Sequence, residues 1–326
     1  MMDYFDFNNQ EWSTDDEVEG KTGLQTPIGT PIEKSVAGDI SKDTTMSVSY
    51  AFHPYTSFDN LAPALVLISQ DEVFFYVHHH QVLAASDNGF AMLLPFELSL
   101  DSHPPIVVMI PEPADVLNII LHTVYGLSAM EYKPSFETIA ATLNALPRYG
   151  LVLKRYVGAG TPLYDLVAAC ASLRPIDTYA LAAAHDLPDV AMAASAHLLS
   201  FRLSGLTDDL ATRIGSVYLK KLFFLHFGRI EALKHLLLNP PSTHQDTPEC
   251  SAAQQRGLTR AWALSAAHIM WEAGPNFSTH LLQAALLPLQ KELTCPKCTL
   301  VLRDRIASLV IGWAGVKVRK TLTSVL

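Results

Sequence analysis

The sequence predicts an α+β domain followed by an all-helical one. Residues 65–68 (LVLI) and 73–77 (VFFYV) are short runs rich in β-branched and aromatic side chains, separated by the polar Gln70-Asp71-Glu72. That pattern is a β-hairpin. A further β-branched run stands at 104–110 (PPIVVMI). Beyond about residue 160, alanine-rich amphipathic stretches replace anything strand-like.

The elements follow in order. Residues 1–45 hold 10 acidic and 3 basic side chains and show no sustained periodicity, so a disordered acidic tail is expected. Within it Tyr4, Phe5, Phe7 and Trp12 alternate with Asp3, Asp6 and Glu11, a pattern of segments that fold onto a partner. Residues 46–52 alternate small and large side chains and suit an edge strand. After the hairpin, VHHHQVLAAS begins a helix, with Val82, Leu83 and Phe90 able to line one face. The run at 104–110 reads as a third, buried strand. Glu112-Pro113 then opens a helix carrying Val116, Ile119, Ile120 and Val124 and closed by Gly126. Ser135 can cap the next helix, whose Ile139, Leu143 and Leu146 share a face. Helical stretches are expected at 163–173, 177–186, 189–201, 217–238, 252–273, 279–294 and 299–317. Asp177 can cap its helix, and Asp208-Asp209 suit the positive end of another. The spacing is too irregular for a solenoid. Three regions result: a tail at 1–45, an α+β domain at 46–157 and a helical domain at 158–326.

Composition narrows the function. The net charge of −9 resides mostly in the tail; the other 281 residues hold 22 acidic and 20 basic side chains. A nearly neutral body argues against direct nucleic-acid binding, which needs clustered Lys and Arg. No apolar run reaches the roughly 18–20 residues of a membrane span, and the N-terminus has no secretory pattern. Four cysteines in 326 residues are not a disulfide framework. A reducing compartment, cytoplasm or nucleus, is expected.

The hairpin followed by His79, Val82, Leu83, Ala84 and Phe90 resembles the BTB (POZ) domain, with Ser86 one residue early. Phrases such as NIILHTVYGLS, TLNALPRYGL, YALAAAHDL and VYLKKLFFLHFGRIEALK extend the resemblance to BTB proteins of mushroom-forming fungi, over about 47–320. The resemblance implies a BTB/POZ-like domain with a short sheet covered by helices, then a helical domain. It implies protein–protein interaction: self-association as a homo-oligomer or docking of a partner. Three features depart from the family pattern. Glu72 stands where the hairpin turn often carries Gly, so the turn either avoids positive φ or is strained. Ala64 and His80 replace the charged residues of many dimeric members, which removes their charged groove. Pro95-Phe96-Glu97 approximates the motif of members that recruit cullin ubiquitin ligases; on that reading Phe96 and Glu97 bind the partner. A transcription-linked scaffold using the tail is the alternative.

Chemistry-bearing motifs are few. No nucleophile elbow, phosphate loop or dinucleotide fingerprint is present, so no catalytic residue and no enzyme activity is expected. His185, Cys170 and the CPKC pair are the residues that an unrecognised active site would use. His78, His79 and His80 alternate faces if they lie on a strand and then cannot grip one ion; the resemblance gives His79 a structural role. Cys295-Pro296-Lys297-Cys298 can hold one tetrahedral ion from one turn, remain two free thiols, or close a reversible disulfide whose short loop constrains little of the chain. Cys250, in the short TPEC loop, is expected to converge with Cys295 and Cys298 on a structural zinc that pins the last helical hairpins together. His244, His268 and His280 stand equally as the fourth ligand. No other cofactor is expected.

Overall fold

A computed structural model describes residues 46–58, 60–94 and 105–316. The acidic tail, Phe96, Glu97 and the closing basic cluster of Lys317, Arg319 and Lys320 lie outside the described residues. The described chain is a mixed α+β fold: one four-stranded sheet, then helices only.

The sheet runs β1 (Ser47–Val48), β2 (Leu65–Ile68), β3 (Val73–Val77) and β4 (Ile106–Met109), in the spatial order β1-β3-β2-β4. β2 and β3 form the expected antiparallel hairpin, with Leu65 opposite Val77. β1 runs parallel to β3 and β4 parallel to β2. The edge strand expected over 46–52 shortens to two residues. β4 is not the buried strand expected: as an edge it exposes Val107 and Met109. Glu72 takes the strained option, with φ 61°. The turn is held by its neighbours. The Ser69 hydroxyl accepts from Val73 N–H at 3.0 Å. Asp71 Oδ1 accepts from Ala114 N–H at 2.8 Å and so ties the turn to the start of a helix.

Helix α1 (His79–Ala85) is followed by a short turn α2 (Gly89–Met92), then α3 (Ala114–Val124) and α4 (Phe136–Ala145). The single helical face expected for Val82, Leu83 and Phe90 is broken. Gly89, Phe90, Ala91 and Met92 all have positive φ, which costs non-glycine residues about 1–2 kcal/mol each. The Phe90 ring gains burial against Tyr149, centroids 4.5 Å apart. Ser86 and Asn88 hold the strained turn. Ser86 Oγ accepts from Phe90 N–H at 2.7 Å and donates to the Tyr149 carbonyl at 2.7 Å. Asn88 Oδ1 accepts from Ala91 N–H at 2.8 Å. The close approach of Asn88 requires glycine at Gly150, where a Cβ would lie 2.5 Å from Asn88 Oδ1. Ser135 caps α4 as expected, accepting from Thr138 N–H at 3.0 Å.

The remaining helices are α5 (Leu153–Tyr156), α6 (Pro162–Ala169), α7 (Pro175–Ala184), α8 (Pro188–Ser195), α9 (Asp208–Leu237), α10 (Ala252–Glu272), α11 (Thr279–Leu286) and α12 (Pro296–Ala314). Asp177 does not cap α7. Pro175 takes the first helical position after Arg174, and Asp177 sits inside the first turn. Helix α9 is interrupted at Gly215, φ 71°. Two hydrophobic cores share this helix. One packs the sheet, α3, α4 and α6–α8 against Ile214, Tyr218, Leu222 and Leu225. The other packs Leu233 and Leu237 against α10, α11 and α12.

Candidate metal centre

The second core begins where α9 ends, and that end is anchored by side chains from two other helices. Trp262 Nε1 of α10 donates to the Leu237 carbonyl at 2.9 Å. Arg305 of α12 donates from Nε to the Asn239 carbonyl at 2.7 Å and from its terminal nitrogen to the Leu236 carbonyl. Carbonyls left without helical partners are thereby satisfied. The loop that leaves α9 is directed across the tops of α10 and α12, carrying His244 and Cys250.

Each ligand candidate has a local reason for its place. Cys250 ends the TPEC turn, closed by Thr247 N–H to the Cys250 carbonyl at 2.9 Å and Cys250 N–H to the Thr247 carbonyl at 3.1 Å. Ser251 then caps α10, with Gln254 completing a capping box. Cys295 is the N-cap residue of α12 and Pro296 its first residue, so Cys298 falls one turn away on the same side. Gln255, buried on α10, accepts from His244 N–H at 2.9 Å through Oε1 and donates to Asp246 Oδ1 at 3.2 Å. It fixes the loop from beneath.

His244 Nε2 lies 3.2 Å from Cys298 Sγ and 3.5 Å from Cys295 Sγ. Cys250 Sγ lies 3.7 Å from Cys298 Sγ. All four donor atoms lie within 4.8 Å of one another. Around a tetrahedral zinc, bonds of about 2.3 Å to sulfur and about 2.0–2.1 Å to nitrogen put sulfurs about 3.8 Å apart and nitrogen about 3.6 Å from sulfur. The contacts of 3.2, 3.5 and 3.7 Å are close to those values, and the whole set spans no more than 4.8 Å. His244 Nδ1 lies 2.7 Å from the Gln245 carbonyl. A proton on Nδ1 leaves the Nε2 lone pair facing the sulfurs, the usual outer support of a metal-binding histidine.

The electrostatics favour a cation. Backbone N–H groups of Cys298 and Lys297 hold the Cys295 thiol down at about 7. Burial pushes the Cys298 thiol up to about 12, and the adjacent Cys250 and Cys295 sulfurs add to the rise. Burial also raises Cys250. Three buried sulfurs in mutual contact cannot all ionise without a positive charge among them; a divalent ion removes that conflict. The residues present can therefore hold a metal ion.

Cys250, Cys295 and Cys298 thus come together, all three as free thiols. Of the three histidines equally placed by the sequence, His244 completes the set. His268 instead faces Glu272 at 3.8 Å on the surface of α10, and His280 is exposed in the first turn of α11. Gln255 carried no sequence signal of its role. The histidine triplet is not on a strand: His79 and His80 start α1. Both ring nitrogens of His78 meet protein groups, Tyr125 Oη at 2.9 Å and the Leu61 carbonyl at 3.0 Å. The Cys170 thiol contacts the Leu166 carbonyl at 3.7 Å and is raised by burial; burial lowers His185. Among the described residues no helix is long and apolar enough to cross a membrane. No protein-family model, curated protein or solved structure matches this chain.

Proposed function

We propose that the chain is a non-enzymatic protein-interaction scaffold whose C-terminal helices are locked by a structural zinc ion. The observation that carries this reading is the closed donor set. Four protein ligands, His244, Cys250, Cys295 and Cys298, fill a tetrahedral shell and leave no position for water or substrate, as in structural rather than catalytic zinc sites. Three thiolates and one imidazole are soft and borderline donors, which favours zinc over magnesium or calcium. Elemental analysis of purified protein tests it, with one zinc per chain expected and loss of that zinc in Cys298→Ser. Metal-free protein that keeps its C-terminal helices overturns it.

The interaction role rests on the BTB resemblance around His79, Val82 and Leu83. Exposed apolar side chains support it: Tyr50, Tyr55 and Leu61 before the hairpin, and Val107 and Met109 on β4. Such residues are the material of an association face. The full chain is expected to form a homo-oligomer in light scattering, and a strict monomer at high concentration counts against self-association. The narrower adaptor reading assigns Phe96 and Glu97 to a cullin surface. Capture of a purified cullin N-terminal domain, abolished by Glu97→Lys, tests that step. A reducing cytoplasm or nucleus suits three free thiols at one metal.

A further inference from the structure

Resting on the zinc reading above, we infer that Cys250 and Cys298 are a reversible oxidation site, where a small hydroperoxide joins the two sulfurs and expels the metal. Two observations carry this. The first is access. A cavity of about 240 Å³ is lined by Cys250, Cys295 and Cys298 but not by His244. Its rim is formed by Gln254, Gly257, Glu292 and Thr294, all exposed, so it opens to solvent. The volume suits molecules of the size of water or hydrogen peroxide, for which about 30 Å³ of liquid volume suffices. It is below the range of about 300–1,000 Å³ that drug-sized ligands occupy, which favours a small oxidant.

The second observation is sulfur geometry. Cys250 and Cys298 are in contact at 3.7 Å, on different elements. A disulfide needs about 2.05 Å. Cys250 sits on a turn rather than within a helix, so its side chain closes the remaining distance with little backbone movement.

The Cys298 thiolate attacks one oxygen of the hydroperoxide; the O–O bond breaks, hydroxide or alkoxide leaves, and Cys298 becomes a sulfenic acid. The Cys250 thiolate then attacks that sulfur, forming the S–S bond and releasing hydroxide. Two thiolates have lost two electrons, and the peroxide oxygens have gained them. Only Cys295 and His244 remain as donors, too few to retain zinc. The new bridge joins the turn before α10 to the start of α12, so the covalent link replaces the metal link. A reducing thiol reverses the step. A Cys295–Cys298 bridge would staple only one helical turn and release the loop.

Full-length zinc-loaded protein is treated with hydrogen peroxide. Released zinc is followed with a chromogenic chelator, and the disulfide is located by peptide mapping. The expected result is zinc release in step with a Cys250–Cys298 linkage, reversed by dithiothreitol and zinc. Gly257→Leu narrows the cavity without touching a ligand. A Cβ there meets nothing within 4 Å, and leucine is the better helix former. This variant is expected to bind zinc normally and release it several-fold more slowly. Ala261→Met, lining the same cavity, is the second variant. Retained zinc under peroxide, a Cys295–Cys298 linkage, or unchanged release in both variants overturns the inference and leaves the zinc reading standing. Protein that arrives without zinc overturns the zinc reading, and this inference with it.

Discussion

The two cores are built on different economies. In the sheet-bearing core, α3 buries nine of its eleven residues, and the hairpin, α1 and α4 close over it. In the C-terminal core, α10 buries four of its twenty-one residues, Gln255, Leu258, Trp262 and Ile269. Helix α12 buries five of nineteen, in a single stripe from Cys298 to Trp313. Trp271 and Ile311 face solvent from these same helices. A layer that thin gains little from burial relative to the entropy of ordering its residues. It needs a staple, as small domains do, and the cluster of His244, Cys250, Cys295 and Cys298 sits where the loop, α10 and α12 meet. The thick core can instead carry flaws: four consecutive positive-φ residues, and a buried Asn118 whose side-chain nitrogen and oxygen have no hydrogen-bond partner.

Metal removal is expected to separate the two cores most strongly. Chelation is expected to melt α10–α12 while β2, β3 and α3 keep their hydrogen-exchange protection. Structural zinc contributes on the order of 10 kcal/mol in small domains. All tryptophans among the described residues, Trp262, Trp271 and Trp313, lie in the C-terminal part, so emission from a Trp12→Phe background reports that core alone. Coincident loss of both cores would refute the division. Trp262→Ala is next. It removes a fully buried ring and the donor to the Leu237 carbonyl, at a cost of about 3–5 kcal/mol, seen as a lower urea midpoint for the C-terminal transition.

Asn118→Leu tests the opposite sign in the thick core. Replacing the unpartnered amide is expected to stabilise it by about 1–3 kcal/mol, measured as a raised midpoint of the sheet-core transition. A destabilised variant would mean that the amide has a partner. Acid gives the smallest effect. Burial lowers His122 and His226 below their ordinary value of 6.5. Each is neutral when folded and takes up a proton on unfolding once pH falls below that value. Their contribution is therefore complete above pH 6.5 and declines below it. Thermal melts of the metal-free protein between neutral and acid pH should show the sheet core weakening, less so in His122→Phe.

Some of this is legible in the residues. The hairpin strands are visible because β-branched and aromatic runs flank a polar turn, and the Ser135 cap because it precedes a periodic apolar face. The convergence of Cys250 with Cys295 and Cys298 is legible because a thiol on a short loop and a CxxC at a helix start are compatible with one ion. The choice of His244 is not legible. It depends on where Arg305 and Trp262 hold the end of α9, a tertiary fact with no local signature. The Phe90 turn hides for the same reason, since its positive φ values are stabilised by Ser86, Asn88 and a ring of Tyr149 distant in sequence. The interruption at Gly215 and the edge position of β4 likewise follow from partners rather than from periodicity.

Helix α9 has a consequence for anything that binds this protein. After Gly215 its backbone runs unbroken to Leu237, roughly 30 Å at 1.5 Å per residue, with one end embedded in each core. Where the cores change over, buried Arg229 reaches the Pro275 and Val316 carbonyls and lies against the Trp313 ring. A hinge there would have to break helical hydrogen bonds and strand a buried cation. The chain therefore behaves as a ruler, presenting surfaces on its two halves at a set separation and angle.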